Sequence, residues 1–302
     1  MKILLVGKNG QVGQALQQSL AALGHIVAVD RQRCDLGDPQ TVLATLDAEQ
    51  PDIIVNAAAY TDVDRAETEP ELAMKINAHG PRLLAKEAEA SGAMLIHYST
   101  DYVFKGDKDA PYVETDSTAP QSSYGRSKLA GEEAVAQESS RYLLLRTSWV
   151  HSGIGKNFVK TILRLAQNQA ALKVVADQIG APTSAAMIAH VTADLISFCQ
   201  KYAMAGLLPN QKIPYGCYHL TALGQTSWHA YACLILDLAR QAGMVLKASP
   251  ETVTPIPTAA YPLPAARPAN SRLDTTKLRQ AFGVSLDQWQ DGVQQTIAQL
   301  AR

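Results

Sequence analysis

A tyrosine and a lysine four residues apart, Tyr124 and Lys128, are by type and spacing the residues of this 302-residue chain best suited to moving a proton. On a helix, positions i and i+4 share one face. A free phenol titrates near pH ~10, too high for an easy proton relay at neutrality. A neighbouring ammonium favours the phenolate and lowers that value. A phenol tuned in this way can donate and recover a proton as a general acid–base group. Thr100, in the run Ser99-Thr100-Asp101-Tyr102, adds a hydroxyl that can hold a substrate oxygen between itself and Tyr124. In isolation a Tyr-x-x-x-Lys run usually means a packed phenol and a solvated amine. The residues that precede it reverse that reading.

Gly7-Lys8-Asn9-Gly10-Gln11-Val12-Gly13 joins the first apolar run to the first amphipathic stretch. The Gly-x-x-Gly-x-x-Gly spacing is a variant of the dinucleotide fingerprint. In that fingerprint the glycines permit a tight turn, close backbone approach to a pyrophosphate, and close helix–strand packing. The following helix then directs free N–H groups and a favourable dipole at the phosphates. Asp30 closes the second apolar run, where a carboxylate can accept hydrogen bonds from adenosine ribose hydroxyls. That placement favours NADH, because a 2′-phosphate would be repelled. Arg31 follows at once and could pair with such a phosphate, so NADPH stays open beside NADH.

These residues need a scaffold, and the sequence supplies one by alternation. Short continuous apolar runs at 3–6, 26–29, 53–55, 94–98 and 142–145 read as strands buried on both faces. Helical periodicity predicts helices over 11–23, 39–49, 71–91 and 123–137, the third kinked or restarted at Gly80-Pro81. Asp38-Pro39 supplies an N-cap and a first-turn proline. Repeated strand–helix–strand units imply a parallel sheet covered on both faces, with ligands beyond the carboxyl ends of the strands. Gly7, Asp30, Asn56, Thr100 and Arg146 each follow a strand. The fold class is therefore α/β: a Rossmann-type doubly wound parallel sheet with a smaller C-terminal substrate-binding domain.

Residues 1–150 are expected to form the NAD(P)-binding domain, and 151–302 mostly the substrate-binding domain. Helices are expected at 157–168, 184–201, 226–241, 275–282 and 286–300, with those near 184–200 and 226–243 packing back on the first domain. Residues 218–220 read as a short strand, and the proline-rich stretch 250–268 as extended loop.

Composition bounds the partners. Lys plus Arg total 27 and Asp plus Glu 28, a net charge of -1, which offers no electrostatic case for nucleic acid or a membrane surface. The opening apolar run is too short for a signal peptide or an anchor, and no later stretch is long enough to span a bilayer. Cys34, Cys199, Cys217 and Cys233 form no Cys-x-x-Cys pair, which fits reduced, mostly buried thiols and a cytoplasmic location. The seven histidines show no metal-ligand spacing. His97, inside a strand, reads as a satisfied core residue, and Trp228 and Trp289 read as packing residues.

The glycine loop, Asn56-Ala57-Ala58-Ala59-Tyr60-Thr61, Tyr98-Ser99-Thr100-Asp101-Tyr102-Val103-Phe104 and Tyr124-Gly125-Arg126-Ser127-Lys128 together resemble the extended short-chain dehydrogenase/reductase family. Arg146-Thr147-Ser148-Trp149-Val150, Asp177-Gln178-Ile179-Gly180-Ala181-Pro182-Thr183 and Arg267-Pro268-Ala269-Asn270-Ser271-Arg272-Leu273 narrow the resemblance to its dTDP-4-dehydrorhamnose reductase branch, nearly end to end. The resemblance implies hydride transfer from NADPH or NADH to the 4-keto group of dTDP-4-dehydro-β-L-rhamnose, with Tyr124 as proton donor. It places Lys128 on the nicotinamide ribose and Thr100 beside Tyr124 and the sugar. It places Gly10, Gln11 and Val12 on the pyrophosphate, Asp30, Asp35 and Leu36 at the adenosine, and Ala59, Tyr60 and Thr61 along the cofactor. Asp101 and Trp149 are implied to touch the nucleotide-sugar, and Arg267 and Arg272 its diphosphate.

Two departures qualify it. Dehydratases of the superfamily carry Thr-Asp-Glu where this chain has Thr100-Asp101-Tyr102, so the acid/base pair for dehydration is missing and simple carbonyl reduction is implied. Some reductases of the branch dimerise through a magnesium ion held by glutamates at positions that here look like Ala15 and Ala186. Alanine supplies no oxygen ligand, so no metal site and a monomer or weak homodimer are expected. Competing readings are a reductase or epimerase of another nucleotide-sugar, and a non-catalytic NADP-binding regulatory subunit like that of methionine adenosyltransferase.

Overall fold

In the computed structural model, which describes residues 1–204 and 213–302, the apolar runs of the first half lie side by side in one sheet. Its strands are β1 (Lys2–Val6), β2 (His25–Val29), β3 (Ile53–Asn56), β4 (Met94–Thr100) and β5 (Tyr142–Thr147). A sixth strand comes from much later in the chain. The order is β10-β5-β4-β3-β1-β2, with β10 at Gly216–His219, and every pairing is parallel. Chain order reverses between β1 and β3, the crevice where such sheets bind ligands.

Helices cover the sheet. In the first half they are α1 (Gln11–Ser19), α2 (Pro39–Glu49), α3 (Pro70–Met74), α4 (Gly80–Ser91) and α5 (Ser123–Glu138). Local chemistry sets their ends. Asp38 accepts from the Gln40 amide ahead of Pro39, and Ser122 accepts from the Gly125 amide at the start of α5. Helix α1 is shorter than the predicted 11–23. It stops at Leu20, and turns through residues 21–23 bring Gly24 against the Met1 carbonyl at the entry to β2.

The expected break at Gly80-Pro81 takes another form. A π turn over Lys75–His79 links α3 to α4, and the chain stays helical through Pro81. The wider turn carries the Gly80 amide to the Lys75 carbonyl and buries the Asn77 side chain. Such turns recur at functional sites.

The second half contributes β6 (Val150–His151), α6 (Phe158–Asn168), β7 (Leu172–Val175), β8 (Ile179–Gly180), β9 (Thr183–Ser184) and α7 (Ala185–Met204). After β10 come β11 (Thr226–Ser227), α8 (Trp228–Gln241), β12 (Val253–Ile256), α9 (Thr276–Phe282) and α10 (Trp289–Leu300). Helix α7 packs on α1. Helix α8 packs chiefly on α6, α10 and the β7–β12 pair, and meets residues 1–150 at Trp149, on which its Trp228 stacks. One apolar core runs from Ile3 and Leu5 through Leu145 to Ile235 and Trp289, joining both halves, while Leu4, Val6, Val42 and Leu84 form a second core on the opposite face of the sheet.

The proline-rich stretch is not all loop. Val253–Ile256 pairs in parallel with β7, flanked by single 3-10 turns at Pro250–Thr252 and Thr258–Ala260. Pro255 is tolerated there because β12 has a neighbour on one side only. Among the described residues, no helix is long and apolar enough to cross a membrane.

Candidate active site

The β1–α1 loop is shaped as a phosphate cradle. Gly7 holds φ at +89°, and a Cβ on Gly13 would lie 2.1 Å from the Gly7 carbonyl oxygen. Gly10 is different: the nearest protein atom to a Cβ there is 3.5 Å away, ordinary contact. The protein itself does not forbid a side chain at Gly10. That position caps α1 with no side-chain hydrogen bond, so the first-turn amides are open. A bare backbone over open amides fits a pyrophosphate. The adjoining Gln11 and Val12 are half-buried. The Gln11 side-chain oxygen accepts from Ser152 Oγ at 3.0 Å and Asn157 Nδ2 at 2.8 Å, tying the cradle to the second half.

Asp30 ends β2 as expected, with Lys8 Nζ 3.1 Å from its carboxylate. The Lys8 ammonium holds the Asp30 carboxyl below its usual value. Arg31 binds Asp35 at 2.9 Å, and Asp35 also accepts from the Gly37 amide. Leu36 is a core side chain and lines, with Gly37, Lys75 and His79, a cavity of about 380 Å³. Ala59, Tyr60 and Thr61 form the loop beyond β3. Asn77 clamps it, accepting from the Tyr60 amide at 2.8 Å and donating to the Tyr60 carbonyl at 3.0 Å and to Ser127 Oγ at 3.0 Å.

Thr100 and Asp101 stand at the carboxyl end of β4. The Thr100 hydroxyl donates to Asp101 Oδ1 at 3.0 Å and accepts from the Tyr102 amide. Asp101 Oδ2 is buried with no partner. Burial pushes the Asp101 carboxyl up to about 6, against the hydroxyls of Ser271 and Thr100. Tyr124, in the first turn of α5, has its phenol pKa raised by burial, and the facing Thr100 hydroxyl opposes that rise.

Lys128 corrects one expectation. Its ammonium was expected to lower the Tyr124 phenol. Instead Nζ donates to the Tyr98 carbonyl at 2.6 Å and lies 3.4 Å from His97 Nε2. The side chain is 2 % exposed, and burial brings its pKa down to about 8. The phenol is raised by burial rather than lowered by the Lys128 charge.

Tyr102, where dehydratases carry glutamate, packs edge-on against the Tyr124 ring at 5.6 Å. Arg267 lies over the other ring, 6.0 Å from the Tyr102 centroid, and pairs with Asp64 at 2.8 Å. Arg267 thus lies beside the tyrosine that packs on Tyr124. Arg272 is engaged elsewhere, by Asn270 at 2.8 Å, Gln225 at 3.0 Å and the Asp109 carbonyl.

An aromatic wall joins the two halves. Trp149, at φ +48°, stacks on Trp228 with centroids 3.5 Å apart. Gly180 lets Trp149 approach, since a Cβ there would lie 2.5 Å from the indole. Trp228 Nε1 donates to Gln178 at 3.1 Å, and Phe158 lies against its ring. Sequence reasoning placed Trp228 in packing and missed this stack. The available signal was Gln178, inside a segment already singled out. Trp289 is a core residue against Tyr231.

His97 was also underestimated: it is buried, as expected, but touches Lys128. Ala15 packs against the core and Ala186 is exposed on α7. Among the described residues, no group of three or more His, Cys, Asp and Glu side chains could hold a metal.

The profile of the family described as RmlD substrate binding domain matches residues 1–302. The dTDP-4-dehydrorhamnose reductase of Escherichia coli is 48 % identical over 305 aligned positions, covering 99 % of this chain and 98 % of that protein. The crystal structure of a dTDP-4-dehydrorhamnose reductase from Clostridium acetobutylicum superposes with a TM-score of 0.89 at 35 % identity, covering 100 % of both chains. That of the Bacillus anthracis enzyme, in complex with NADP, gives 0.84 at 35 % identity over 98 % of each.

Proposed function

The chain belongs to the RmlD substrate binding domain family, and from that premise we propose that it reduces the 4-keto group of dTDP-4-dehydro-β-L-rhamnose to dTDP-L-rhamnose with NADPH or NADH. The observation that carries the reading is the cluster at the carboxyl end of β4, with Thr100 facing the Tyr124 phenol and Lys128 buried on the same helix.

A nicotinamide cofactor held by these residues would supply the hydride. Tyr124 gives its proton to the oxygen of the former carbonyl, which Thr100 helps to hold. A phenol raised by burial is fully protonated at neutrality, the state a donor needs. Lys128, with two ammonium hydrogens beyond the one given to Tyr98, binds the nicotinamide ribose and steadies the phenolate left behind. Gly7, Gly10, Gln11, Val12 and Gly13 hold the pyrophosphate, and Asp30, Asp35 and Leu36 the adenosine. Ala59, Tyr60 and Thr61 line the cofactor path. Asp101 offers its free oxygen to a sugar hydroxyl, and Trp149 gives the nucleotide-sugar a flat face. Arg267 exchanges Asp64 for the diphosphate, with Arg272 supporting, since guanidinium is suited to bidentate phosphate binding.

Residues 1–150 form the nucleotide domain and most of 151–302 the substrate domain of a cytoplasmic monomer or weak homodimer that needs no bridging metal and binds no nucleic acid. Purified protein mixed with NADPH or NADH and dTDP-4-dehydro-rhamnose tests the activity; failure to oxidise either cofactor overturns it. Tyr124→Phe should lower turnover about 10²–10⁴-fold and leave nucleotide affinity unchanged. A variant that keeps most of its activity would show that another group donates the proton.

A further inference from the structure

His97 sits between the carboxamide of Asn56 and the amine of Lys128. Asn56 Nδ2 lies 3.0 Å from His97 Nδ1, and Lys128 Nζ 3.4 Å from His97 Nε2. All three side chains are buried, so each contact substitutes for lost water. The Asn56 amide cannot be turned over, because its oxygen already accepts from the Ala58 amide at 3.1 Å. A flipped amide would set two donors against each other. Nδ2 therefore points at the ring, and His97 Nδ1 is an acceptor. A neutral imidazole with a bare Nδ1 carries its proton on Nε2. That N–H faces Lys128.

An ammonium has only donors, whereas a neutral amine has a lone pair to accept one. Lys128 also donates to the Tyr98 carbonyl at 2.6 Å, which both forms can do. Only the amine satisfies both contacts.

We propose that His97 is a positioning residue for Lys128, its Nε2–H held in place by Asn56 so as to favour the neutral amine over the ammonium. The inference rests on the reading of Lys128 as part of the reductase site. It adds that the lysine exchanges its proton within the working range of pH.

The groups around Lys128 bear on this. On its own helix are the Tyr124 phenol one turn back and Glu132 one turn on, the latter bound to Arg146 of β5. From β4 come the imidazole and the Tyr98 carbonyl, neither of them charged: burial, with the Lys128 charge adding to it, holds the His97 pKa well below its usual value. Burial lowers Lys128 to about 8, and only Glu132 opposes it.

The direct test is ¹⁵N NMR of the His97 ring in the full-length, ligand-free protein above pH ~8. The expected result is a proton on Nε2 and a bare Nδ1; a proton on Nδ1, or on both nitrogens, overturns the proposal. Asn56→Asp makes the residue an acceptor, which should move the ring proton to Nδ1 and turn Nε2 toward Lys128 as an acceptor. The midpoint of Lys128, followed by ¹³C labelling at its Cε, should then rise by about one pH unit or more, a tenfold gain in proton affinity. The same change in a His97→Phe background reports the bare charge alone. An equal rise there would mean that the ring carries nothing and the proposal fails. None of these readouts depends on turnover, so a protein inactive on the dTDP-sugar would still answer the question.

Discussion

Two buried cations lie one helical turn apart in their effects on α5, and the fold treats them in opposite ways. Arg146 at the end of β5 receives a full counter-ion: Glu132 binds it bidentately, Nε to Oε1 at 2.9 Å and Nη2 to Oε2 at 2.6 Å. Burial works against the guanidinium charge, but Glu132 more than offsets it and the pKa is raised. Lys128, four residues from the same glutamate, meets a carbonyl and an imidazole and is lowered to about 8. A charge that must stay is paired, and a charge that must come and go is left with neutral neighbours. Arg146 therefore stays charged in the folded protein, while Lys128 can lose its proton at about pH 8.

Breaking the paired side should have the largest effect. Glu132→Gln leaves a buried guanidinium without its counter-ion, which should lower unfolding free energy by about 3–5 kcal/mol in a urea titration. A loss below about 1 kcal/mol would mean the pair does not hold the strand end. Removing the unpaired charge should do the reverse. The Lys128 pKa is lowered from 10.5 to about 8 on folding, so between those values the unfolded chain binds more protons and stability rises with pH. Below about pH 8 the buried amine carries its full penalty. Lys128→Met should therefore stabilise the protein at pH ~7 by on the order of 3 kcal/mol, with the gain vanishing above pH ~10, while turnover is lost. Destabilisation at neutral pH would break the comparison.

Asp101 extends the same logic to an anion. Its carboxyl is raised from 3.8 to about 6, so its favourable contribution is present below 3.8 and is lost as pH rises through 6. Asp101→Asn should raise stability at pH ~7 by on the order of 2–3 kcal/mol, leave it unchanged near pH ~4, and weaken substrate binding. Thermal unfolding at the two pH values decides it; an equal gain at both would point to packing. The aromatic wall carries no charge and should respond least. Trp228→Leu removes the stack under Trp149 and should raise KM for the dTDP-sugar by a few-fold, about 0.5–1.5 kcal/mol, with kcat nearly constant.

The parts of this site legible in the sequence were those built from local pattern. The glycine spacing, the Asp38-Pro39 start of α2 and the i, i+4 relation of Tyr124 and Lys128 are each set within a few residues, and each appears where expected. What was hidden depends on partners far along the chain. The π turn at Lys75–His79 exists because Gly80 packs on Leu36 and Asn77 reaches Tyr60, contacts that no periodicity encodes. A histidine in an apolar strand looks like core, and His97 is core; only its neighbours reveal that one of them is Lys128. Trp228 opens an amphipathic helix, so its stacking on a residue 79 positions earlier left no local trace. The two-residue strands are too short for any alternation to show.

The late arrival of β10 sets a schedule for synthesis. Residues 1–147 contain five strands of the sheet, yet β5 has no outer neighbour until Gly216–His219 has been made. During that interval Leu143, Leu144 and Leu145 line an open backbone edge, the kind that recruits other chains. The growing chain therefore contains the whole Tyr124–Lys128 segment while one side of its sheet still lacks a neighbour, and the segment that closes the sheet leads directly into Trp228. One stretch of chain thus both covers the β5 edge and delivers Trp228 to its place on Trp149.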